Sequence, residues 1–333
     1  MSKIKPSQGA PYARIMGVGG YRPTRVVPNE VILETIDSSD EWIRSRSGIA
    51  SRHWASEEET VAAMSVEAAG KAIADAGIGP EQIGAVVVST VSHFKQTPAI
   101  ATEIAHKVGA GRPAAFDISA GCAGFGYGLT LAKGMIVEGS AEYVLVIGVE
   151  RLSDLTDLED RATAFLFGDG AGAVIVGPSN VPAIGPTVWG SEGDKSETIK
   201  QTVAWDEFHA ERPEKFPAIT QEGQAVFRWA VFEMAKVAQQ ALDAAGIAPE
   251  DLDVFIPHQA NMRIIDSMVK TLKLPEHVTV ARDVETTGNT SAASIPLAME
   301  RLLATGQAKS GDTALVIGFG AGLVYAATVV TLP

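Results

Sequence analysis

Apolar positions along the chain fall into two kinds of run. Short continuous stretches rich in Val and Ile, at 84–91, 143–149, 171–177, 253–257 and 313–318, read as strands buried on both faces. Between them lie Ala-rich segments with helical spacing, such as MSVEAAGKAIADAG at 64–77 and CAGFGYGLTLAKGMIVEG at 122–139. In the latter, Phe125, Leu129, Leu131, Met135 and Ile136 supply the apolar positions. The alternation predicts an α/β chain whose largely parallel sheets are covered by helices on both faces.

The pattern repeats. AGIGPEQIGAVVVST at 76–90 is echoed by AGIAPEDLDVFIPHQ at 245–259, an offset of 245 − 76 = 169. Each reads as a helix stopped by Ala-Gly, a short loop containing Pro, then a buried strand. VIGV at 146–149 is echoed by VIGF at 316–319, an offset of 316 − 146 = 170. Two similar α/β halves are therefore expected, 1–185 and 186–333, with the polar span from about Gly190 to Pro217 separating their apolar runs.

Composition narrows what such a chain can do. Hydrophobic residues make up 46% and charged residues 20%, the balance of a soluble globule and not of a disordered chain. The net charge of −13 argues against nucleic acid, yet leaves room for a local basic patch facing an acidic partner. No apolar run is long enough to span a bilayer, and MSKIKPSQGAPYARI lacks the apolar core of a signal peptide, so a cytoplasmic location without membrane contact is expected. The single cysteine excludes an internal disulfide. The histidines at 53, 93, 106, 209, 258 and 277 show no ligand spacing, so no metal is expected.

That cysteine, Cys122, lies in FDISAGCAGFGYG at 116–128, between a strand end and a helix start. A thiol at a helix N-terminus is expected to have a lowered pKa and to act as a nucleophile. The same residue would serve equally as inert packing. His258 in PHQAN (257–261) and Asn289 in GNTSAAS (288–294) occupy two further junctions predicted to run from strand to helix. In an open parallel sheet such junctions gather at one site, which favours chemistry over packing. GDGAGA at 168–173 lacks both P-loop and dinucleotide-fold spacing and reads as a structural turn.

SAGCAGF, RATAFLFGDGAGA (161–173), PHQANMRI (257–264), GNTSAAS and GFGAG (318–322) together resemble the thiolase superfamily. They are closest to the β-ketoacyl-acyl-carrier-protein synthase III family, which initiates fatty-acid chains. The likeness runs from about GVGGYRPTRVVPN (17–29) to the C-terminus. It implies a thiolase-like layered αβαβα fold made of two similar halves, a homodimer, and no cofactor beyond the CoA thioester substrate. A thiolase would need a second cysteine, and elongating synthases pair theirs with two histidines. Neither pattern is present.

The resemblance assigns roles residue by residue. Cys122 would take the acyl group from a starter acyl-CoA, while His258 and Asn289 donate hydrogen bonds to malonyl-acyl carrier protein as it loses carbon dioxide. The backbone N–H groups of Cys122 and Ala321 would hold the acyl oxygen, and Phe319 would screen the malonyl pocket. Trp42, Arg46, Arg161 and Asn261 would bind CoA. Trp42 and Arg46 share a face of a helix expected to begin with a Ser38/Glu41 capping box. Arg263, Lys270 and Arg228 would meet the acidic carrier protein. Thr97 stands where some relatives place a bulky Phe reaching from the partner subunit, so branched starters of the isobutyryl type should fit as well as acetyl. A condensing enzyme that primes a polyketide, a cysteine-dependent thioester hydrolase and a pure binding protein are the alternatives.

Overall fold

The computed structural model describes residues 4–333. Ten strands build its two five-stranded sheets. In chain order they are β1 (Tyr12–Tyr21), β2 (Ile83–Ser89), β3 (Ala114–Ile118), β4 (Tyr143–Arg151), β5 (Asp169–Ser179), β6 (Val188–Ser191), β7 (Val254–Pro257), β8 (Thr279–Val280), β9 (Thr313–Gly320) and β10 (Val324–Thr331). The helices that position the site are α1 (Asp40–Ser47), α2 (Val61–Ala76), α3 (Ile100–Lys107), α4 (Gly124–Glu138), α5 (Trp205–Glu211), α6 (Gly223–Ala245), α7 (Met262–Leu272) and α8 (Ser294–Ala304).

The first sheet has the order β1-β5-β4-β2-β3 and the second the order β6-β10-β9-β7-β8. In each, the first two pairings are antiparallel and the last two parallel. The two sheets thus share one topology, and the sequence echoes fall on equivalent strands, β2 with β7 and β4 with β9. The Ala-Gly stops behave alike: α2 ends at Gly77 and α6 at Gly246, both left-handed, at φ 67° and 68°. The expectation of largely parallel sheets needs correction, because half the pairings are antiparallel. A strand covered on both faces shows the same unbroken apolar run whichever way its neighbour runs, so the pattern carries no direction.

Helices α2 and α3 cover the outer face of the first sheet, α6 and α7 the outer face of the second, and α4 and α8 lie between the sheets. In β2, Val86 and Val88 face α2 and α3 while Val87 faces the central layer, all at 0% exposure. Burying each such side chain contributes roughly 1.5–3 kcal/mol, which is why the central strands β2, β4, β7 and β9 are almost continuous apolar runs.

Each central helix is entered through a tight turn that crosses to the other half. The turn Gly121–Ala123 leads into α4 and Ser291–Ala293 leads into α8. A β-carbon on Gly318 would lie 2.9 Å from the carbonyl oxygen of Cys122, and one on Gly148 only 2.1 Å from that of Ala292. The first turn is therefore pressed against β9 and the second against β4. The polar span from Gly190 to Pro217 contains the end of β6, the strand Ile199–Gln201 and helix α5, and strand Ile219–Gln221 follows it.

Candidate active site

The turn exchange brings the chemistry-bearing residues of both halves to one cavity of about 700 Å³. Cys122, His258, Asn289, Phe319 and Ala321 all line it, with Thr90, Ser291, Leu152, Phe167 and Trp229. Cys122 and His258 stand where expected, after β3 and after β7. Asn289 does not follow a strand. It follows the short helix Val284–Thr287 and is held by a bridge to Phe167, its N–H donating to the Leu166 carbonyl at 2.9 Å.

Cys122 itself departs from expectation. It lies in the turn ahead of α4, which begins at Gly124, and is half-buried. Burial pushes its thiol up to about 12; a hydrogen bond with Ser291 and one from its own backbone pull the other way, and the charge of Glu150 raises it. A helix terminus contributes only about 0.3–1 kcal/mol, too little to offset that desolvation. The expected lowered pKa is corrected: at neutral pH the isolated group is a thiol.

His258 is 2% exposed, and burial pushes its pKa down to about 3, so the ring is neutral. Its Nδ1 lies 2.7 Å from Oγ of Ser294. That oxygen also accepts from the N–H of Gln259 at 3.3 Å. With the Ser294 hydroxyl as donor to Nδ1, the ring carries its proton on Nε2, and this is the tautomer adopted here. Asn289 is tied in the same way, because Oδ1 accepts from the N–H of Ser291 at 2.8 Å and leaves the carboxamide N–H groups unspent. Both residues therefore have their acceptor atom engaged and a donor left over. Phe319 packs edge-on against His258 at 5.4 Å and against Trp229 at 6.2 Å. Trp229 is fixed in turn by its Nε1 donating to Glu192 at 2.7 Å.

Ala321 lies beside the cysteine turn: a β-carbon on Gly121 would be 3.5 Å from its backbone nitrogen. Among the described residues only Arg212, Lys273 and Ser291 combine a side chain with positive φ. Ala321 is not one of them, so its methyl group is accommodated without backbone strain.

Trp42, Arg46 and Arg161 form a separate cluster in which the arginines are exposed and the Trp42 ring is half-buried. The guanidinium of Arg161 sits 4.9 Å from the Trp42 ring centre and that of Arg46 5.8 Å, while Phe165 meets the ring edge-on at 5.5 Å. None of the three lines the cavity; Phe165 and cavity-lining Phe167 lie two residues apart on one segment beside them. The helix cap differs from the Ser38 expectation, since Ser39 accepts from the N–H of Trp42 at 3.1 Å. Asn261 caps α7 through Arg263 N–H and donates to the Arg46 carbonyl at 3.0 Å, which ties α7 to α1.

Arg263 lies over the Phe227 ring at 4.8 Å, and Lys270 is exposed on the same helix. Arg228 lines a different hollow, with Lys195 and Phe232. Thr97 is exposed and does not line the cavity of its own chain, whereas Lys95, Gln96 and Ala99 do. Sequence reasoning passed over Glu150, Ser294, Trp229 and Trp205, which lines the cavity within an aromatic group including Phe94 and Phe216.

Comparison with known proteins agrees with this geometry. The family description 3-oxoacyl-[acyl-carrier-protein (ACP)] synthase III matches residues 116–193, and its C-terminal counterpart matches residues 242–332. A protein of Streptomyces glaucescens named beta-ketoacyl-[acyl-carrier-protein] synthase III is 87% identical over 333 residues, 100% of both chains. The crystal structure of the priming beta-ketosynthase from the R1128 polyketide biosynthetic pathway superposes with a TM-score of 0.97 at 45% identity, covering 100% of this chain and 99% of that one. That of 3-oxoacyl-[acyl-carrier-protein] synthase III from Aquifex aeolicus VF5 gives 0.88 at 38% identity, covering 96% and 99%. The chain belongs to the β-ketoacyl-[acyl-carrier-protein] synthase III family, the condensing acyltransferases of the thiolase superfamily.

Proposed function

We propose that the chain condenses a starter acyl-CoA with malonyl-acyl carrier protein, giving 3-oxoacyl-acyl carrier protein, carbon dioxide and CoA. Cys122 attacks the starter thioester, CoA leaves, and the acyl group stays on sulfur. Malonyl-acyl carrier protein then loses carbon dioxide, and its carbanion attacks the acyl-cysteine. The charge that develops on the malonyl thioester oxygen is met by Nε2–H of His258 and the carboxamide of Asn289. The backbone N–H groups of Cys122 and Ala321 receive the acyl oxygen. The observation that carries this reading is that His258 and Asn289 both have their acceptors tied back and present donors to the cysteine's cavity. A hydrolase would require a base to activate water, and a ring whose pKa burial pushes down to about 3 is a weak base for that.

Trp42 and Arg161 suit adenine and phosphate recognition, with Arg46 beside them, and Asn261 holds that helix against α7. Arg263 and Lys270, with Arg228 further off, supply positive charge to an acidic carrier protein on an otherwise acidic chain. β3 is the edge of the first sheet and the loop beside it exposes Phe94, which supports pairing with a second copy there. In that homodimer Thr97 would reach the partner's starter pocket and leave room for a branched acyl group.

An assay of starter acyl-CoAs with malonyl-acyl carrier protein, comparing native protein with Cys122→Ala, tests the reading. Product from the native protein alone supports it; equal product from the variant, or free acid formed without malonyl-acyl carrier protein, contradicts it. A polyketide-priming role draws on the likeness to the R1128 priming enzyme, and a preference for a polyketide carrier protein over the fatty-acid one would favour it.

A further inference from the structure

Glu150 is completely buried at the end of β4, and the proposed mechanism leaves it without a task. Pairing of β2 with β4 stops at Ser89 and Gly148, while β4 continues against β5 as far as Arg151. Beyond Ser89 the ladder to β4 no longer takes the chain's N–H groups, and a buried one needs another acceptor. One oxygen of Glu150, Oε2, fills that role. It accepts from Ser92 Oγ at 2.7 Å, from Val91 N–H at 3.1 Å and from Thr90 Oγ1 at 3.3 Å. Ser92 Oγ in turn accepts from the N–H of Arg151 at 2.8 Å, which closes the clasp back onto β4.

Both chain segments joined by this clasp carry cavity wall. Val91 lies on one, Leu152 and Leu155 on the other, and all three line the cavity of Cys122. With Phe167, which also lines it, they belong to one apolar cluster, in which Val91 is the partly buried member. Leu152 is fixed from its far side too, since Ser153 donates through its N–H and its Oγ to buried Asp169 at 2.8 and 2.6 Å. Val91 has its backbone N–H on Glu150 alone. Phe319 and Trp229 pack beside His258, whereas the Val91, Leu152, Leu155 and Phe167 group is wholly apolar and suits the alkyl part of an acyl group held on the sulfur. A buried carboxylate whose partners here are neutral donors is an expensive way to hold a turn, so the position of that turn matters.

We propose that Glu150 is a positioning residue for starter choice: through Oε2 it holds Val91 against Leu152 and Phe167 and so limits the width of the alkyl end of the cavity. Glu150 does not itself line the cavity and acts through Val91. With the clasp lost, the 90–92 turn can move away from Leu152, which Asp169 still holds through Ser153, and the gap widens on one side. A methylene more or less in an apolar pocket changes discrimination roughly tenfold or more, so a small displacement of Val91 is readable as selectivity. The inference rests on the reading that acyl-CoA acylates Cys122.

The test is the rate of Cys122 acylation by isobutyryl-CoA and by hexanoyl-CoA, each supplied alone, quenched and read by peptide mass. Ser92→Ala removes the shortest bond of the clasp and the acceptor for Arg151, and Glu150→Ala removes the clasp altogether. In both, the hexanoyl-to-isobutyryl ratio of rates should rise roughly tenfold over wild type. Glu150→Gln keeps an oxygen for the three donors and should keep the wild-type ratio. General damage to the fold would slow both starters in proportion and leave the ratio alone. Should Glu150→Ala not fold, Ser92→Ala decides. An unchanged ratio in folded Ser92→Ala, or a Gln variant as permissive as the alanine ones, overturns the proposal. No acyl group on Cys122 in wild type with either starter overturns the functional reading, and this inference with it.

Discussion

His258 and Ser294 are joined by a hydrogen bond of 2.7 Å from Nδ1 to Oγ, and Ser294 is the first residue of the central helix α8. The bond ties the orientation of the ring to the layer between the two sheets. With the hydroxyl donating, the ring's proton lies on Nε2, the donor on which the proposed decarboxylation depends.

Ser294→Ala removes that constraint and leaves Nδ1 able to carry the proton instead. The variant should acylate Cys122 at the wild-type rate but release carbon dioxide from malonyl-acyl carrier protein about tenfold more slowly, the loss of one hydrogen bond of about 1–1.5 kcal/mol. Single-turnover measurement of each half-reaction separates the two effects.

The same ring sets a pH dependence of stability. Folded His258 stays neutral down to about pH 3, whereas the unfolded side chain takes up a proton below about 6.5. The unfolded state therefore binds more protons in this window. Stability from this site is fully present above pH 6.5 and is lost as pH falls. Between pH 6.5 and 5.0 the loss should be about 2 kcal/mol. Urea unfolding of His258→Asn at pH 7.5 and 5.0 should show that much less acid destabilisation than wild type.

Trp42→Ala removes the ring between Arg46 and Arg161. With stacking of about 1–2 kcal/mol lost, KM for acyl-CoA should rise roughly tenfold while kcat changes little. An equal fall in kcat would place Trp42 in the chemistry, against its position outside the cavity.

Arg263→Glu reverses a charge that lies over Phe227 on the exposed side of α7. It should raise KM for malonyl-acyl carrier protein several-fold and weaken its salt dependence, leaving KM for acyl-CoA unchanged. Steady-state kinetics at two ionic strengths checks this.

Much of the fold was legible because the two halves repeat. The Ala-Gly stops and the VIG runs predicted equivalent strands, and the structure places them on β2 with β7 and β4 with β9. Strand direction was not legible, since double-sided burial erases the alternation that would mark an antiparallel edge. At the site, Cys122, His258 and Asn289 stood out by residue type within small-residue turns. Glu150 did not, because a single acid at the end of a strand looks like any solvated charge until the fold buries it. The cysteine's pKa was misjudged for a related reason: the sequence shows a helix beginning nearby, but desolvation depends on the half 170 residues away that closes over it.

The most direct test of the account is mass measurement of the acyl-enzyme formed from acyl-CoA alone, paired with carbon dioxide release from malonyl-acyl carrier protein, in wild type, His258→Ala and Asn289→Ala. The account expects an acyl group on Cys122 in all three and a collapse of carbon dioxide release in the two variants. Acylation lost in the variants while decarboxylation persists would contradict the division of labour between the sulfur and its two donors.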